Sequence, residues 1–178
     1  MKFIYIFVWG LFVLYLVFSL VQGRHIQSHG DKLDIISLEF ADKNEGAAIL
    51  EDWYANKVDT KNLLSHARTN TIADFLFIIG YVGVLIIISN YIMQRQRKLV
   101  LNEMLRACFV LALLAGLLDL VENFILLYNM HHYVPGSEYI STKFISYTKF
   151  GCIGMILLAW LFGLAGALFG KTPARNRS

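Results

Sequence analysis

Cysteine is scarce in this chain, with only Cys108 and Cys152 among its 178 residues. The two cysteines lie in different apolar segments, and because each is near the start of its segment, they are expected at opposite faces of the membrane. At a helical rise of about 1.5 Å per residue, their thiols should differ in depth by more than about 10 Å. That distance excludes a disulfide, because bonded cysteines have Cα atoms within about 7 Å of each other. Four-helix thiol oxidoreductases need paired reactive cysteines, so that enzyme class is disfavoured, and two buried apolar thiols are expected.

Other functional patterns are missing as well. The basic residues flank apolar segments and form no separate patch, which argues against a nucleic-acid partner. No E-x-x-H spacing is present, and the H-x-x-x-H pair formed by His25 and His29 lies outside the predicted spans, so a metal or haem site has little support from motifs. No inverted repeat is visible, which disfavours a monomeric carrier. No A-x-A-like cleavage site follows the first apolar run, so we expect that run to be retained as a helix.

Apolar residues, in contrast, make up 57% of the chain and come in four long blocks. A helix needs about 20 mainly apolar residues to cross the hydrocarbon layer of a membrane. The blocks therefore predict four spans, at residues 3–22, 72–93, 107–128 and 148–170. The expected fold class is an all-α membrane protein, a single membrane domain of residues 1–178 that forms an up–down four-helix transmembrane bundle.

The segment 23–70, between the first two predicted spans, is the only sizeable polar stretch. Asp42 and Glu45 have the spacing of a capping box, which predicts a helix of about three turns after them. A second helix is expected from about Thr60 into the second span, so this loop should be mainly helical. The first helix could lie on the membrane surface with Trp53 at the headgroups, or it could pack on the ends of the bundle. Amphipathicity alone leaves both placements open.

The distribution of positive charge predicts the orientation. Short loops rich in lysine and arginine mark the cytoplasmic side of a membrane protein. Three such places fall on one side of a four-span chain: Lys2 at the start, Arg95, Arg97, Lys98 and Arg106 in the middle, and Lys171, Arg175 and Arg177 at the end. We therefore expect a multi-pass protein of the bacterial cytoplasmic (inner) membrane, with both termini in the cytoplasm and the acid-rich loop 23–70 outside.

The third predicted span carries ionisable residues, which are costly inside a membrane and usually face a bundle interior or a functional cavity. Helical spacing places them on one face with small residues: Ala112, Ala115, Gly116, Asp119, Glu122, Asn123 and Leu126. The other face is aliphatic or aromatic: Leu113, Leu114, Leu117, Leu118, Val121, Phe124 and Ile125. Small residues permit close helix packing and large apolar ones suit lipid, so the acidic face is predicted to point inward.

The neighbouring spans contribute further polar residues at a similar depth. Asp74 and Tyr81 share a face of the second span because they are seven positions apart. In the fourth span, Lys149 begins a stripe of mostly small residues: Cys152, Ile156, Ala159, Gly163, Gly166 and Gly170. The topology places this polar group in the outer third of the bundle. Asp74, Asp119 and Glu122 outnumber Lys149, so burial should leave one or two acids protonated or balanced by a ligand.

These residues predict a ligand site for a lipid or a small amphiphile. The candidates are Asp74, Tyr81, Asp119, Glu122, Asn123, Lys149 and Trp53, with Glu122 the best candidate for a general acid or base. Lys149 would neutralise an anionic headgroup, and Trp53 with Phe40 would cap the mouth of the cavity. Three alternatives stay open: a purely structural network, a metal-binding protein and a proton-coupled transporter. The sequence names no cofactor, and it leaves room for a membrane-protein partner.

Several short stretches occur together in this order: Leu38-Glu-Phe-Ala41, Ile49-Leu-Glu-Asp-Trp53, Ala73-Asp-Phe-Leu-Phe77 with Tyr81, Leu118-Asp-Leu-Val-Glu-Asn123 and Thr148-Lys-Phe150. Together they resemble a group of small, uncharacterised bacterial integral membrane proteins with four spans. The resemblance covers residues 36–165. It implies no particular activity. It does imply that Asp74, Asp119, Glu122, Asn123 and Lys149 form the polar core of such a protein.

Overall fold

A computed structural model of the chain describes residues 6–14, 17, 35–58, 61–96 and 98–169. Within these ranges the chain is almost entirely helical. Residues 6–14 form α1, and the later elements are α2 (Ile35–Glu39), α3 (Lys43–Ala55), β1 (Lys57–Val58), β2 (Lys61–Asn62), α4 (Leu63–Met93), α5 (Leu99–His131) and α6 (Lys143–Phe169). The two strands are two residues long and pair antiparallel. Half of the predicted span 3–22 lies outside the described residues, and so do Lys2, Thr60, Arg97 and the residues from Gly170 onward.

Among the residues that the structure describes, three helices are long and apolar enough to cross a membrane: Leu63–Met93, Leu99–His131 and Lys143–Ala167. They correspond to the second, third and fourth predicted spans, so the prediction of an all-helical protein with long apolar helices is confirmed at this level. Many of their large apolar side chains are exposed, among them Leu113, Phe124 and Leu161. An apolar exposed surface of this extent suits contact with lipid chains rather than with water.

The central helix is α5, which packs against both α4 and α6, whereas α4 and α6 make few contacts with each other. Its predicted inward face is confirmed, since all seven residues of the stripe from Ala112 to Leu126 are buried. Gly116 explains how closely the helices approach there. A Cβ at this position would lie 2.6 Å from a methyl group of Val82, so a larger residue would displace that side chain of α4.

The inward stripe of α6 is also confirmed over its described part. Lys149, Cys152, Ile156 and Ala159 are all buried, and Cys152, like Cys108, is a free thiol. Further along the helix, a Cβ at Gly163 would lie 2.8 Å from the Ile92 side chain. Small residues therefore bring α6 close to its neighbours at the end opposite Lys149.

The loop before α4 packs on the end of the long helices. Asp42 and Glu45 form the predicted capping box at the start of α3, in which each side chain accepts a hydrogen bond from the backbone N–H of the other residue. Trp53 is only 3% exposed and lies in an apolar cluster that includes Leu126 and Met130 of α5. Of the two placements left open by the sequence, the structure therefore has the packed one.

The connection between α5 and α6 is held by a tight turn and by one side chain. Gly136 has φ of 88°, and the N–H of Ser137 donates to the carbonyl of Val134 at 2.9 Å, as in a turn that needs glycine at its third position. Asn129 donates to the carbonyl of Ile140 at 2.8 Å and accepts from its N–H at 3.0 Å. Because α5 continues to His131, Asn129 is a helical residue that fixes the loop after it.

The described part of α1 packs against α4 through two glycines. A Cβ at Gly80 would lie 3.1 Å from the backbone nitrogen of Phe12, and one at Gly83 would lie 2.7 Å from a methyl group of Val8. The Phe12 ring stacks on Phe77 of α4 at a centroid distance of 5.6 Å. This close packing brings Phe12 to the gap between α4 and α6.

Candidate functional site

Lys149 is the centre of a buried cluster of charged side chains. Its Nζ lies 2.9 Å from Asp119 Oδ1 and 3.4 Å from Glu39 Oε2, and it also pairs with Glu122 Oε2. Asp119 and Glu122 reach the same ammonium because they are three residues apart on α5. Glu122 is 0% exposed. A buried ammonium is tolerated here because three carboxylates surround it.

Glu39 is a member of this cluster that the sequence interpretation missed. It ends the short helix α2, and its carboxylate meets a lysine that lies 110 positions later in the chain. Two signals pointed to it: an acid inside the apolar patch Ile35–Phe40, and its place in the Leu38–Ala41 stretch of the resemblance. Neither signal identifies the partner, because no local spacing relates α2 to α6.

Hydroxyl groups near the start of α6 hold α2 in position. Tyr139 donates to the carbonyl of Leu38 at 2.7 Å, Ser141 donates to that of Ala41 at 2.6 Å, and Thr142 donates to that of Glu39 at 3.1 Å. The last carbonyls of a helix have no partner inside it. These side chains donate to carbonyls at and just after the end of α2, and they thereby fix the place of Glu39 beside Lys149.

Ser146 joins the charged cluster to the end of α2. Its hydroxyl is within hydrogen-bonding reach of Glu122 Oε1 and of the carbonyls of Glu39, at 3.0 Å, and Thr142, at 3.1 Å. The residue is fully buried. The sequence interpretation missed it, because a single serine in a helix carries no distinguishing pattern.

A second polar contact joins α4 to α5 beside this cluster. Asn123 donates to Asp74 Oδ2 at 2.8 Å. Tyr81, two turns further along α4, is 8% exposed, and Asp119 and Asp74 are among the charged groups that act on its hydroxyl. The structure thus brings together six of the seven candidates from the sequence. The seventh, Trp53, lies in the apolar cluster of the loop.

A cavity of about 470 Å³ adjoins the cluster in the gap between α4 and α6. Its polar end holds three acids and the central lysine, and the rest of its lining is apolar or aromatic. The lining residues are Phe12, Ile36, Glu39, Asp74, Phe77, Tyr81, Val84, Leu85, Ile88, Asp119, Lys149, Phe150, Ile153 and Trp160. Glu122, Asn123 and Trp53 are not among them. Asp74 and Asp119 are therefore the span acids nearest to a molecule in the cavity.

Glu39 gives the site a group that titrates near neutral pH. Burial raises its pKa from 4.5 to about 7, although the ammonium of Lys149 favours the charged form. The carboxylates of Glu122 and Asp119 add to the increase, because like charges disfavour ionisation. The polar end of the cavity can thus gain or lose one proton in this pH range.

The charge of Lys149 is already balanced within the protein. An anionic group entering the cavity would have to compete with three carboxylates for one ammonium, and it would meet Asp74 and Asp119 on the way. A neutral donor or a cation would meet acceptors instead. The geometry is therefore suited to groups that donate hydrogen bonds or carry positive charge.

No group of three or more histidine, cysteine, aspartate or glutamate side chains that could hold a metal ion occurs within the described ranges. The carboxylates that do converge are occupied by Lys149. In comparisons with known proteins, no family model, curated protein or solved structure matches the chain.

Proposed function

We propose that this protein binds a lipid or another small amphiphile in the cavity between α4 and α6. The observation that carries the proposal is the division of the lining into a polar end and a long apolar part. On α4 the lining runs from Asp74 to Ile88, a length of about 20 Å at a rise of about 1.5 Å per residue. Such a length suits an extended aliphatic chain with a polar head.

The size and chemistry of the cavity support the proposal. Ligand sites usually measure about 300–1,000 Å³ and combine an apolar lining with a few polar groups. The cavity, at about 470 Å³, lies in that range. Val84, Leu85 and Ile153 would contact the tail of the ligand, while Asp74 and Asp119 would contact its head.

In the membrane, we place this cavity in an up–down bundle of four spans in which α1 belongs to the first span. Both termini would be in the cytoplasm of a bacterium, and the loop with α2 and α3 would lie on the outer side of the cytoplasmic membrane. The resemblance to small bacterial four-span proteins supports the same arrangement. A ligand would then enter from the outer leaflet, near Glu39.

The test is native mass spectrometry of the purified protein and of a variant with a filled cavity. Leu85→Trp places a large ring against the apolar lining, whereas Leu76→Trp makes the same change at an exposed position of the same helix. We expect a lipid or amphiphile adduct in the wild type and in Leu76→Trp, and a much weaker one in Leu85→Trp. A wild type without any adduct, or an equal adduct in all three, would contradict the proposal.

A structural role for the charged cluster is the second candidate. The observation in its favour is that Glu122 is fully buried and is already bound by Ser146 and Lys149. In this case the cluster fixes the packing of α5 against α6 and of α2 on both. Glu122→Gln would then lower thermal stability without changing the mass of any bound species, whereas a direct role in binding would change both.

A further inference from the structure

We propose that the head of the bound amphiphile is positively charged, so that the polar end of the cavity is an ammonium site. This inference rests on the proposed function and specifies the chemical class of its ligand. It also replaces the anionic headgroup that a lysine in the sequence had favoured.

The first argument is the charge of the site. Glu39, Asp74 and Asp119 line the cavity, and Lys149 is the only lysine or arginine in its described lining. With Glu122, three carboxyls share this one ammonium, and full ionisation would give these four groups a net charge of 1 − 3 = −2. If Glu39 is protonated, the net charge is still 1 − 2 = −1. Excess charge in an apolar surrounding is costly, and a bound cation relieves it.

The second argument is a buried hydroxyl at the same place. Tyr81 lines the cavity, and its hydroxyl is shielded from solvent and lies near the Asp119 carboxylate, to which the O–H can donate. Buried polar groups normally have partners. Besides donating its O–H, a phenol oxygen accepts a hydrogen bond from an N–H donor, so an ammonium head between Tyr81 and Asp119 would donate to it.

The third argument is the aromatic surface beside the acids. Phe12, Phe77, Tyr81 and Phe150 all line the cavity. The Phe150 ring already has the ammonium of Lys149 at 4.9 Å from its centroid, which is within the range of a cation–π contact. Aromatic faces next to carboxylates are a combination that recognises organic ammonium groups.

The far end of the cavity indicates that the ligand has a single head. Trp160 closes the lining there, and its indole N–H is taken up by Ser89 Oγ at 2.8 Å. The other residues at this end, Ile88 and Leu85, are aliphatic. A ligand with a second polar group at the end of its tail would find no partner among these side chains.

The experiment compares probes of equal chain length on the full protein in a mild nonionic detergent at pH 7. Dodecylamine, dodecanol and dodecanoate are titrated below their micelle concentrations, with Trp160 fluorescence as the readout and Trp160→Phe to assign the signal. We expect dodecylamine to bind at least about tenfold more tightly than the other two, which corresponds to about 1.4 kcal/mol. Equal or tighter binding of dodecanoate or dodecanol would overturn the cationic assignment while leaving the proposed function intact. Binding of none of them would overturn both.

Two variants test the role of the site acids. Asp74→Asn removes one charge and keeps an acceptor for the Asn123 amide, while Glu103→Gln removes one charge at an exposed position of α5. We expect Asp74→Asn to weaken dodecylamine binding about tenfold without affecting dodecanol, and Glu103→Gln to change neither. If Asp74→Asn does not fold, Glu39→Gln at pH 8 takes its place with the same expectation. An unchanged amine affinity in the folded variant would overturn the inference.

A fourth probe separates two sources of the ammonium. Dodecylphosphoethanolamine carries the same primary ammonium group together with a phosphate. If it binds as tightly as dodecylamine, the natural ligand belongs to the zwitterionic lipids. If it binds more weakly, the natural ligand is a free amine amphiphile, because the phosphate meets Asp74 and Asp119. Both outcomes support a cationic head.

Discussion

Lys149 depends on its three carboxylates for its place in the apolar interior, and they depend on it in turn. Removing one member of a buried ion pair leaves the others without compensation, which commonly costs about 3–5 kcal/mol. We therefore expect Lys149→Met to lower the unfolding temperature strongly in a thermal melt of the detergent-solubilised protein. Arg106→Met is the matched control, since Arg106 pairs with Glu103 at the exposed surface, where such pairs contribute about 0–1 kcal/mol.

A double variant distinguishes the ion pairs from simple packing. Lys149→Met with Glu122→Gln removes one charge of each sign, so it should be more stable than Lys149→Met alone. If the double variant is less stable by the sum of the two single changes, the two residues do not interact energetically.

Glu39 predicts how stability depends on pH. Its pKa is about 7 in the folded protein and near the ordinary 4.5 in the unfolded chain, so folding favours the protonated form. The stabilisation of the fold by the proton on Glu39 is fully present below about pH 4.5 and is lost as the pH rises through 7. Compared with Glu39→Gln, the wild type should lose on the order of 3 kcal/mol between these values, at about 1.36 kcal/mol per pH unit. If the melting temperatures of the wild type and of Glu39→Gln changed in parallel from pH 4 to 8, this prediction would be contradicted.

Within a single element, Gly46 of α3 occupies a position at which helix propensity alone would favour alanine. A Cβ at Gly46 would overlap the ring of Tyr139, which is buried beneath it. Alanine is usually better than glycine in a helix by about 1 kcal/mol, but overpacking a tight contact costs about 1–3 kcal/mol. We therefore expect Gly46→Ala to destabilise the protein in a thermal melt.

Gly151 on α6 provides the control for this prediction. Within the part of the chain that the structure describes, no atom lies within 4 Å of a Cβ at that position. Gly151→Ala should leave stability unchanged or raise it slightly. If both alanine variants are equally stable, Tyr139 does not pack tightly on α3.

The helices and their buried faces could be predicted from the sequence because these features are local. The order of small and large residues in α5 indicated which side of that helix is buried, and the spacing of Asp42 and Glu45 indicated where α3 begins. The partners of Lys149 required tertiary information. Asp119 could be predicted to lie near Lys149 because the two residues are in adjacent spans at a similar depth. Glu39 could not, because it comes from a loop whose position depends on hydroxyl groups about 100 positions away in the sequence.

At the scale of the whole molecule, the orientation can be tested by labelling single cysteines in intact cells. Glu51 and Gln94 are both exposed. Glu51 lies in α3, which precedes α4, and Gln94 follows the last residue of α4, so the two positions are at opposite ends of that long helix. With Cys108 and Cys152 replaced by alanine, a membrane-impermeant maleimide should label Glu51→Cys in whole cells and Gln94→Cys only after lysis. The reverse result would place the loop with α3 in the cytoplasm.

The hydrogen bonds between α2 and the start of α6 also have a consequence for the timing of synthesis. Residues 38–41 leave the ribosome long before Tyr139, Ser141 and Thr142, which supply their donors. During most of translation these carbonyls therefore lack their hydroxyl donors, and Glu39 has no lysine to pair with. The charged cluster and the cavity beside it are completed only when α6 has been made, so a chain that is released early lacks both.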